Sequence, residues 1–216
     1  MRPTPRTRSL ASSSRNLVPA FAALAALGLG VFAATQFYPP AVAKFDSGIY
    51  LPQSRAVSAF ELTDQDDQPF TNAQLQGHWT ILFAGFTHCP DVCPSTLSLL
   101  KHLSDRMLQS GRRLDTVFLS VDPERDTPEQ LLSYVRYFSP DFTGISGSRQ
   151  QLDSLTASLG LAYVKVPGAS DADYTMDHSA AMVLLNPEGQ VAGYFQPPFK
   201  IDLLASDLER VIRRTP

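Results

Sequence analysis

An α/β sandwich, with a central mixed sheet flanked by helices, is the fold class this chain predicts. Three observations carry it. Apolar runs short enough for buried strands alternate with segments of helical spacing, the chain closes on a hairpin and an amphipathic helix, and its two cysteines fall where a strand gives way to a helix.

Ahead of the sandwich, residues 1–16 form a basic leader carrying Arg2, Arg6, Arg8 and Arg15, with no acidic residue before Asp46. The 18 residues 17–34, from Leu17 to Ala34, are apolar and uncharged, and rich in Ala and Leu. At about 1.5 Å per residue such a helix just spans the core of a bilayer. The leader's charge assigns that end to the cytoplasm and the rest of the chain to the far side. The expectation is a single-pass protein of the inner (cytoplasmic) membrane with its domain on the periplasmic side. A cleaved signal peptide is the alternative, with Ala41-Val42-Ala43 as the cleavage site. That site stands rather far from the apolar run, which favours an anchor. Either way the domain is exported to where a cysteine pair can oxidise. Residues 35–56, with Pro39-Pro40 among small residues, read as a stiff tether.

Residues 57–214 read as one domain, long enough to bury a core. Without the four leader arginines, 14 basic residues face 21 acidic ones, a net charge of −7. No basic stripe appears, which argues against a nucleic-acid partner. Within this domain Ala59-Phe60-Glu61-Leu62 and Pro69-Phe70 flank the polar turn Asp64 to Gln68, predicting a short hairpin. Trp79 to Phe86 is nearly all apolar, as a central strand covered on both faces should be. Pro94 stands in the first turn of the next helix, whose buried face is Leu97, Leu100, Leu103 and Met107 and whose end is Gly111. Thr116 to Val121 is the next strand. Thr127 then caps a helix with Pro128 at its first position and Leu131, Leu132, Val135 and Phe138 facing inward. Phe142 to Ile145 predicts a short strand and Ser148 to Leu159 a helix. Strands follow at Ala162 to Val166, Ala180 to Leu185 and Val191 to Phe195, the last two joined through Asn186-Pro187-Glu188-Gly189, and Ile201 to Ile212 closes the chain as a helix. This order is that of a thioredoxin-type sandwich.

The chemistry centres on Cys89 and Cys93, in Phe86-Thr87-His88-Cys89-Pro90-Asp91-Val92-Cys93-Pro94. Their C-x-x-x-C spacing differs from the C-x-x-C of most disulfide oxidoreductases. Four residues apart on a helical turn, the two sulfurs would share a face, and a helix amino terminus favours the thiolate. Two thiolates make a soft site for Cu(I), Zn(II) or an iron–sulfur cluster. A structural disulfide is the plain alternative, although so tight a loop would stabilise little. Four histidines could add a nitrogen. His78 enters a strand and His102 lies inside a helix, so both read as surface or packing residues. His88 adjoins Cys89 and is an awkward chelator. His178, in Tyr174-Thr175-Met176-Asp177-His178-Ser179, falls in an expected loop opposite the cysteine turn.

Gly85-Phe86-Thr87-His88-Cys89-Pro90-Asp91-Val92-Cys93-Pro94, Val121-Asp122-Pro123-Glu124-Arg125-Asp126-Thr127-Pro128 and Asp177-His178-Ser179-Ala180 together resemble the three signatures of the Sco/SenC family, in the right order. The similarity covers about residues 57 to 212. The resemblance implies a membrane-tethered copper chaperone of thioredoxin-like fold that assists assembly of the binuclear copper centre of cytochrome c oxidase. It implies Cys89, Cys93 and His178 as ligands of one copper ion, Cu(I) or Cu(II), with Asp177 as an acidic neighbour of the oxidised metal. Its partners would be the oxidase subunit carrying that centre and a periplasmic copper donor or thiol reductant. Met176 departs from the aliphatic residue expected there, and reads as packing rather than as a thioether ligand. Asp122, Glu124 and Asp126 read as a loop and helix cap shaping the rim of the site rather than as a second cation site. The competing function is a thiol–disulfide oxidoreductase in which Cys89 attacks and Cys93 resolves, reducing the cysteines of the oxidase site. A peroxiredoxin-like peroxidase is a weaker third reading, since the threonine and arginine of a peroxidatic cysteine are not evident.

Overall fold

The computed structural model describes residues 23–30, 45–170 and 173–212. Residues 23–30 are helical and exposed. The remainder of the expected 17–34 anchor lies outside the described residues, among which no helix is long and apolar enough to cross a membrane. Residues from Ala43 onward form a compact unit of their own.

That unit is a sheet with helices on both faces. Its strands are β1 (Gly48–Arg55), β2 (Glu61–Asp64), β3 (Pro69–Thr71), β4 (Trp79–Gly85), β5 (Leu114–Ser120), β6 (Thr143–Ser146), β9 (Met182–Leu185) and β10 (Val191–Phe195), while β7 (Tyr163–Ser170) and β8 (Asp173–His178) make a separate two-stranded ribbon. The helices are α1 (Val92–Gln109), α2 (Pro128–Phe138), α3 (Arg149–Leu159) and α4 (Ile201–Ile212). The large sheet runs β1-β10-β9-β4-β5-β6-β2-β3. Its β4, β5 and β6 are parallel and the other pairings antiparallel, which makes it the mixed sheet the sequence predicts.

Strand β4 explains where the core sits. All seven of its residues are buried. Alternation sends Trp79, Ile81 and Phe83 to one face, against α1 and α4, and Leu82 and Ala84 to the other, against α3. Leu97, Leu100, Leu103 and Met107 of α1 are fully buried on the first face; each contributes about 1.5–3 kcal/mol by leaving water. The helix ends are written in the sequence. Thr127 accepts a hydrogen bond from the Gln130 amide with Pro128 in the first turn of α2, Ser148 caps α3 in the same way, and Gly111, at φ 73°, follows the end of α1.

Two expectations change. The stretch 35–56 is not tether throughout, because Gly48–Arg55 pairs antiparallel with β10. The Asp207 carboxylate holds the start of this strand, accepting the Asp46 and Ser47 amides at 3.0 and 2.8 Å and the Ser47 hydroxyl at 2.5 Å. These partners lie some 160 residues away in sequence, so no local pattern announces them. The second change is β8, which replaces the loop expected before Ala180. Its alternation was present all along: Tyr174, Met176 and His178 face inward while Asp173, Thr175 and Asp177 are exposed.

Candidate metal centre

The cysteines sit beyond the carboxyl end of β4, the end at which parallel α/β sheets gather their chemistry. The chain leaves β4 at Gly85 and turns at once, with the Cys89 amide donating to the Phe86 carbonyl at 3.2 Å. Helix α1 begins only at Val92, so Cys89 precedes it and Cys93 lies in its first turn. The sulfurs therefore do not stack as two residues of one helix. Instead the Cys93 amide, one of the free donors of the helix start, points at Cys89 Sγ at 3.5 Å. Both cysteines are free thiols. Cys93 is wholly buried in the core, and burial pushes its thiol well above the usual range; the neighbouring Cys89 adds to the shift against an opposing backbone hydrogen bond from Phe86. Cys89 is only partly covered. Close packing fixes the Cys93 sulfur, for a Cβ added to Gly85 would stand 2.8 Å from it and 2.7 Å from the Phe118 ring.

The histidine arrives from the ribbon. His178 ends β8 opposite Tyr163 of β7, and the ribbon is closed at its base by the Ser179 amide donating to the Ala162 carbonyl and the Ala162 amide to Ser179 Oγ, both at 2.9 Å. The imidazole rests edge-on between Phe83 and Phe86, its centroid 6.0 Å from each ring. Its Nδ1 is 3.2 Å from the Ser179 carbonyl, which can only accept, so in the neutral ring the Nδ1-protonated tautomer is the one that makes this bond. The lone pair of Nε2 is then free toward Cys93 Sγ, 3.6 Å away. Donor atoms of Cys89, Cys93 and His178 all lie within 4.8 Å of one another, a constellation able to hold one metal ion. Two soft sulfurs and one imidazole nitrogen suit copper in either oxidation state, and zinc as well.

The remaining histidines stay away from the thiols. His88 is exposed, between Thr87 Oγ1 at 3.1 Å and Asp126 Oδ1 at 3.7 Å; His78 pairs with Asp115 at 3.3 Å; His102 is exposed on α1. Met176 is buried among core residues, as packing predicts. Asp177 is exposed on the outer face of β8, and among the described residues its carboxylate makes no hydrogen bond. The acidic block is saturated by donors rather than open to a cation. Asp122 takes Arg125 and the Tyr174 hydroxyl, Glu124 takes Arg149 and Lys165, and Asp126 takes the Thr87 amide, the Thr87 hydroxyl and the Ser120 hydroxyl. Sequence reasoning passed over Arg125 and Tyr174, since nothing local says that residues 49 positions apart will meet.

Fold and site together define a thioredoxin-like protein in which a dithiol beside a helix start is completed by a histidine from a separate ribbon. The sequence profile of the SCO1/SenC family matches residues 50–213, and the chain belongs to that family. A putative copper-binding protein of Stutzerimonas stutzeri is 39% identical over 165 residues, which is 76% of this chain and 80% of that protein. Arabidopsis thaliana ScoI, solved with copper bound, superposes with a TM-score of 0.70 at 38% identity, over 74% of this chain and 99% of that one. Bradyrhizobium japonicum ScoI, also with copper bound, gives 0.65 at 36% identity, over 71% and 98%.

Proposed function

We propose that this protein is a membrane-tethered copper chaperone, holding one copper ion through Cys89, Cys93 and His178 and passing it to the binuclear copper centre of cytochrome c oxidase. One observation carries the reading: two thiol sulfurs and an imidazole nitrogen converge within 4.8 Å at the partly open end of the sheet. The copper-bound state of the Arabidopsis and Bradyrhizobium relatives supports the choice of copper over zinc. Membership of the family supports delivery to the oxidase. Binding displaces thiol protons, so capture grows stronger as pH rises. Partial exposure of Cys89 leaves a sulfur that an incoming thiolate can reach around, as stepwise ligand exchange requires. Asp177, next to His178 yet on the outer face, would bear on the oxidised metal only after local rearrangement. The basic leader and apolar run support an anchor in the inner membrane with the domain on the periplasmic side.

The test is copper titration of the detergent-solubilised full chain with its thiols reduced, read by metal analysis. One tightly held copper, absent from a Cys89→Ala/Cys93→Ala double variant, is the expected result. Stoichiometric retention by the double variant would refute the assignment.

The thiol redox reading has its own support in the unequal burial of the pair. The Cys89 thiolate would attack a partner disulfide, forming a mixed disulfide and expelling one partner thiolate, which takes up a proton. Cys93, after losing its proton, would attack Cys89 Sγ and expel the second, leaving a Cys89–Cys93 disulfide and a partner reduced by two electrons. Dithiol turnover that persists unchanged in His178→Ala, without copper binding by the wild type, favours this function.

A further inference from the structure

The loop between β5 and α2 touches both halves of the site. Asp126, 3% exposed, fixes the cysteine turn by accepting the Thr87 amide at 2.9 Å and the Thr87 hydroxyl at 2.6 Å. The residue before it reaches the other way. Arg125 Nε donates to Asp122 Oδ2 at 2.5 Å and Nη1 to the Tyr174 carbonyl at 3.0 Å, while the guanidinium lies 3.7 Å above the Tyr174 ring. The Tyr174 hydroxyl returns to the second oxygen of the same carboxylate at 2.8 Å. Asp122 is 1% exposed and its carbonyl accepts the Arg125 and Asp126 amides, so this clamp stands on a rigid turn.

Tyr174 and His178 share the inward face of β8, about 13 Å apart along the strand. Other contacts attach the ribbon with less directional force. Lys165–Glu124 and Tyr163–Asp153 are exposed pairs, which water and salt weaken, and Met176 is buried without a hydrogen bond to set an angle. The Arg125 side chain, at 21% exposure, is largely shielded from that competition. A guanidinium also offers what an ammonium cannot: a planar fork serving a carboxylate and a carbonyl while stacking on a ring.

We propose that Arg125 is a positioning residue for the metal centre, locking β8 to the loop that also braces the cysteine turn and so setting His178 against Cys93. This deepens the copper reading, but the positioning itself exists before any metal arrives. Arg125→Ala lets the ribbon shift, the imidazole leaves Cys93, and the thiols stay where Asp126 and the core hold them. Arg125→Lys keeps the charge and does not restore the clamp.

The experiment has two readouts on the full chain in detergent. The first is ¹⁵N spectroscopy of histidine-labelled protein without metal. The His178 Nε2 signal should move in Arg125→Ala and Arg125→Lys as that nitrogen leaves Cys93, while the Nδ1 bond to Ser179 travels with the ribbon and the signals of His78 and His102 stay unmoved. The second is copper affinity, measured by competition with a chelator. Loss of a group bonded directly to a ligand costs about 10- to 100-fold. Arg125 acts through Tyr174, so its loss should cost no more than His178→Ala does, and that loss should vanish when His178→Ala is already present. Unmoved His178 signals in a folded Arg125→Lys variant overturn the proposal, whether or not Arg125→Ala folds. An equal loss of affinity with and without His178 overturns it too. Failure of the wild type to bind copper would defeat the copper reading and leave the first readout to decide the role of Arg125.

Discussion

The cysteine turn and the histidine ribbon meet at one point, yet they are held by different physics. The turn grows out of β4, whose seven residues are all buried, and Cys93 is fully enclosed by core side chains. The ribbon is a separate two-stranded sheet whose β7 and β8 leave Val164 and Val166 exposed. Among the described residues its ties to the body include the buried Met176, the largely shielded Arg125 clamp on Tyr174, the imidazole packed between Phe83 and Phe86, the exposed Tyr163–Asp153 hydrogen bond and the Lys165–Glu124 surface ion pair. Two strands alone are marginally stable. A donor set split in this way has a fixed half and a yielding half, which is what a protein needs if it is to grip an ion and also surrender it.

The comparison is broken most severely at the fixed half. Cys89→Ala or Cys93→Ala should abolish stoichiometric copper, checked by metal analysis after gel filtration. His178→Ala tests the yielding half: affinity should fall by about tenfold or more, or about 1.4 kcal/mol, with the loss larger for Cu(II) than for Cu(I). Equal losses for cysteine and histidine variants would erase the asymmetry.

Gly85→Ala probes the packing of the fixed half directly. The new methyl would enter within 3.0 Å of both the Phe118 ring and Cys93 Sγ. Overpacking of this kind costs about 1–3 kcal/mol, to be read from the urea midpoint, and the displaced sulfur should weaken copper binding as well.

A third region, remote from either half, serves as a control. Burial alone would raise the Asp207 carboxyl, but hydrogen bonds from the Ser47 hydroxyl, the Asp46 and Ser47 amides and Arg210 outweigh it and hold the group below the usual carboxylate range. Its folded value is thus lower than its unfolded one. Its contribution is complete above the unfolded value of about 4 and is lost as pH falls through the folded value. Urea midpoints should drop between pH 6 and pH 3, and Asp207→Asn should flatten that drop while leaving copper affinity at pH 7 unaltered.

The smallest effect belongs to salt. Glu124 is drawn below its usual range first by the hydrogen bond from Lys165 and then by Arg149, all at an exposed position. Raising ionic strength screens such pairs. Hydrogen exchange of the β7–β8 amides should therefore quicken slightly, while that of β4 does not change.

The same contrast governs how much was legible in the sequence. Elements whose cause is local were readable: the all-apolar β4, Thr127 with Pro128 at the start of α2, the Asn186–Gly189 turn, and the helix from Ile201 to Ile212. The identity of the three candidate donors was readable through their motifs. What escaped was non-local. Strand β1 exists because β10 is there to pair with it, and its anchor Asp207 sits near the other end of the chain. The β8 alternation is half-polar and short, so it passed for a loop. Spacing alone does not show how the sulfurs are brought together, because α1 starts at Val92 and a single amide, rather than a helical face, bridges the pair. Arg125 lay within a motif already noticed, but its partner on β8 becomes visible only once the ribbon is folded back.

The most direct test of the central claim is X-ray absorption at the copper edge, comparing copper-loaded wild type with copper-loaded His178→Ala. The account predicts two sulfur scatterers and one nitrogen scatterer in the wild type, and the same two sulfurs without that nitrogen in the variant. A wild-type spectrum lacking the sulfur pair, or a variant that keeps the nitrogen, would contradict it.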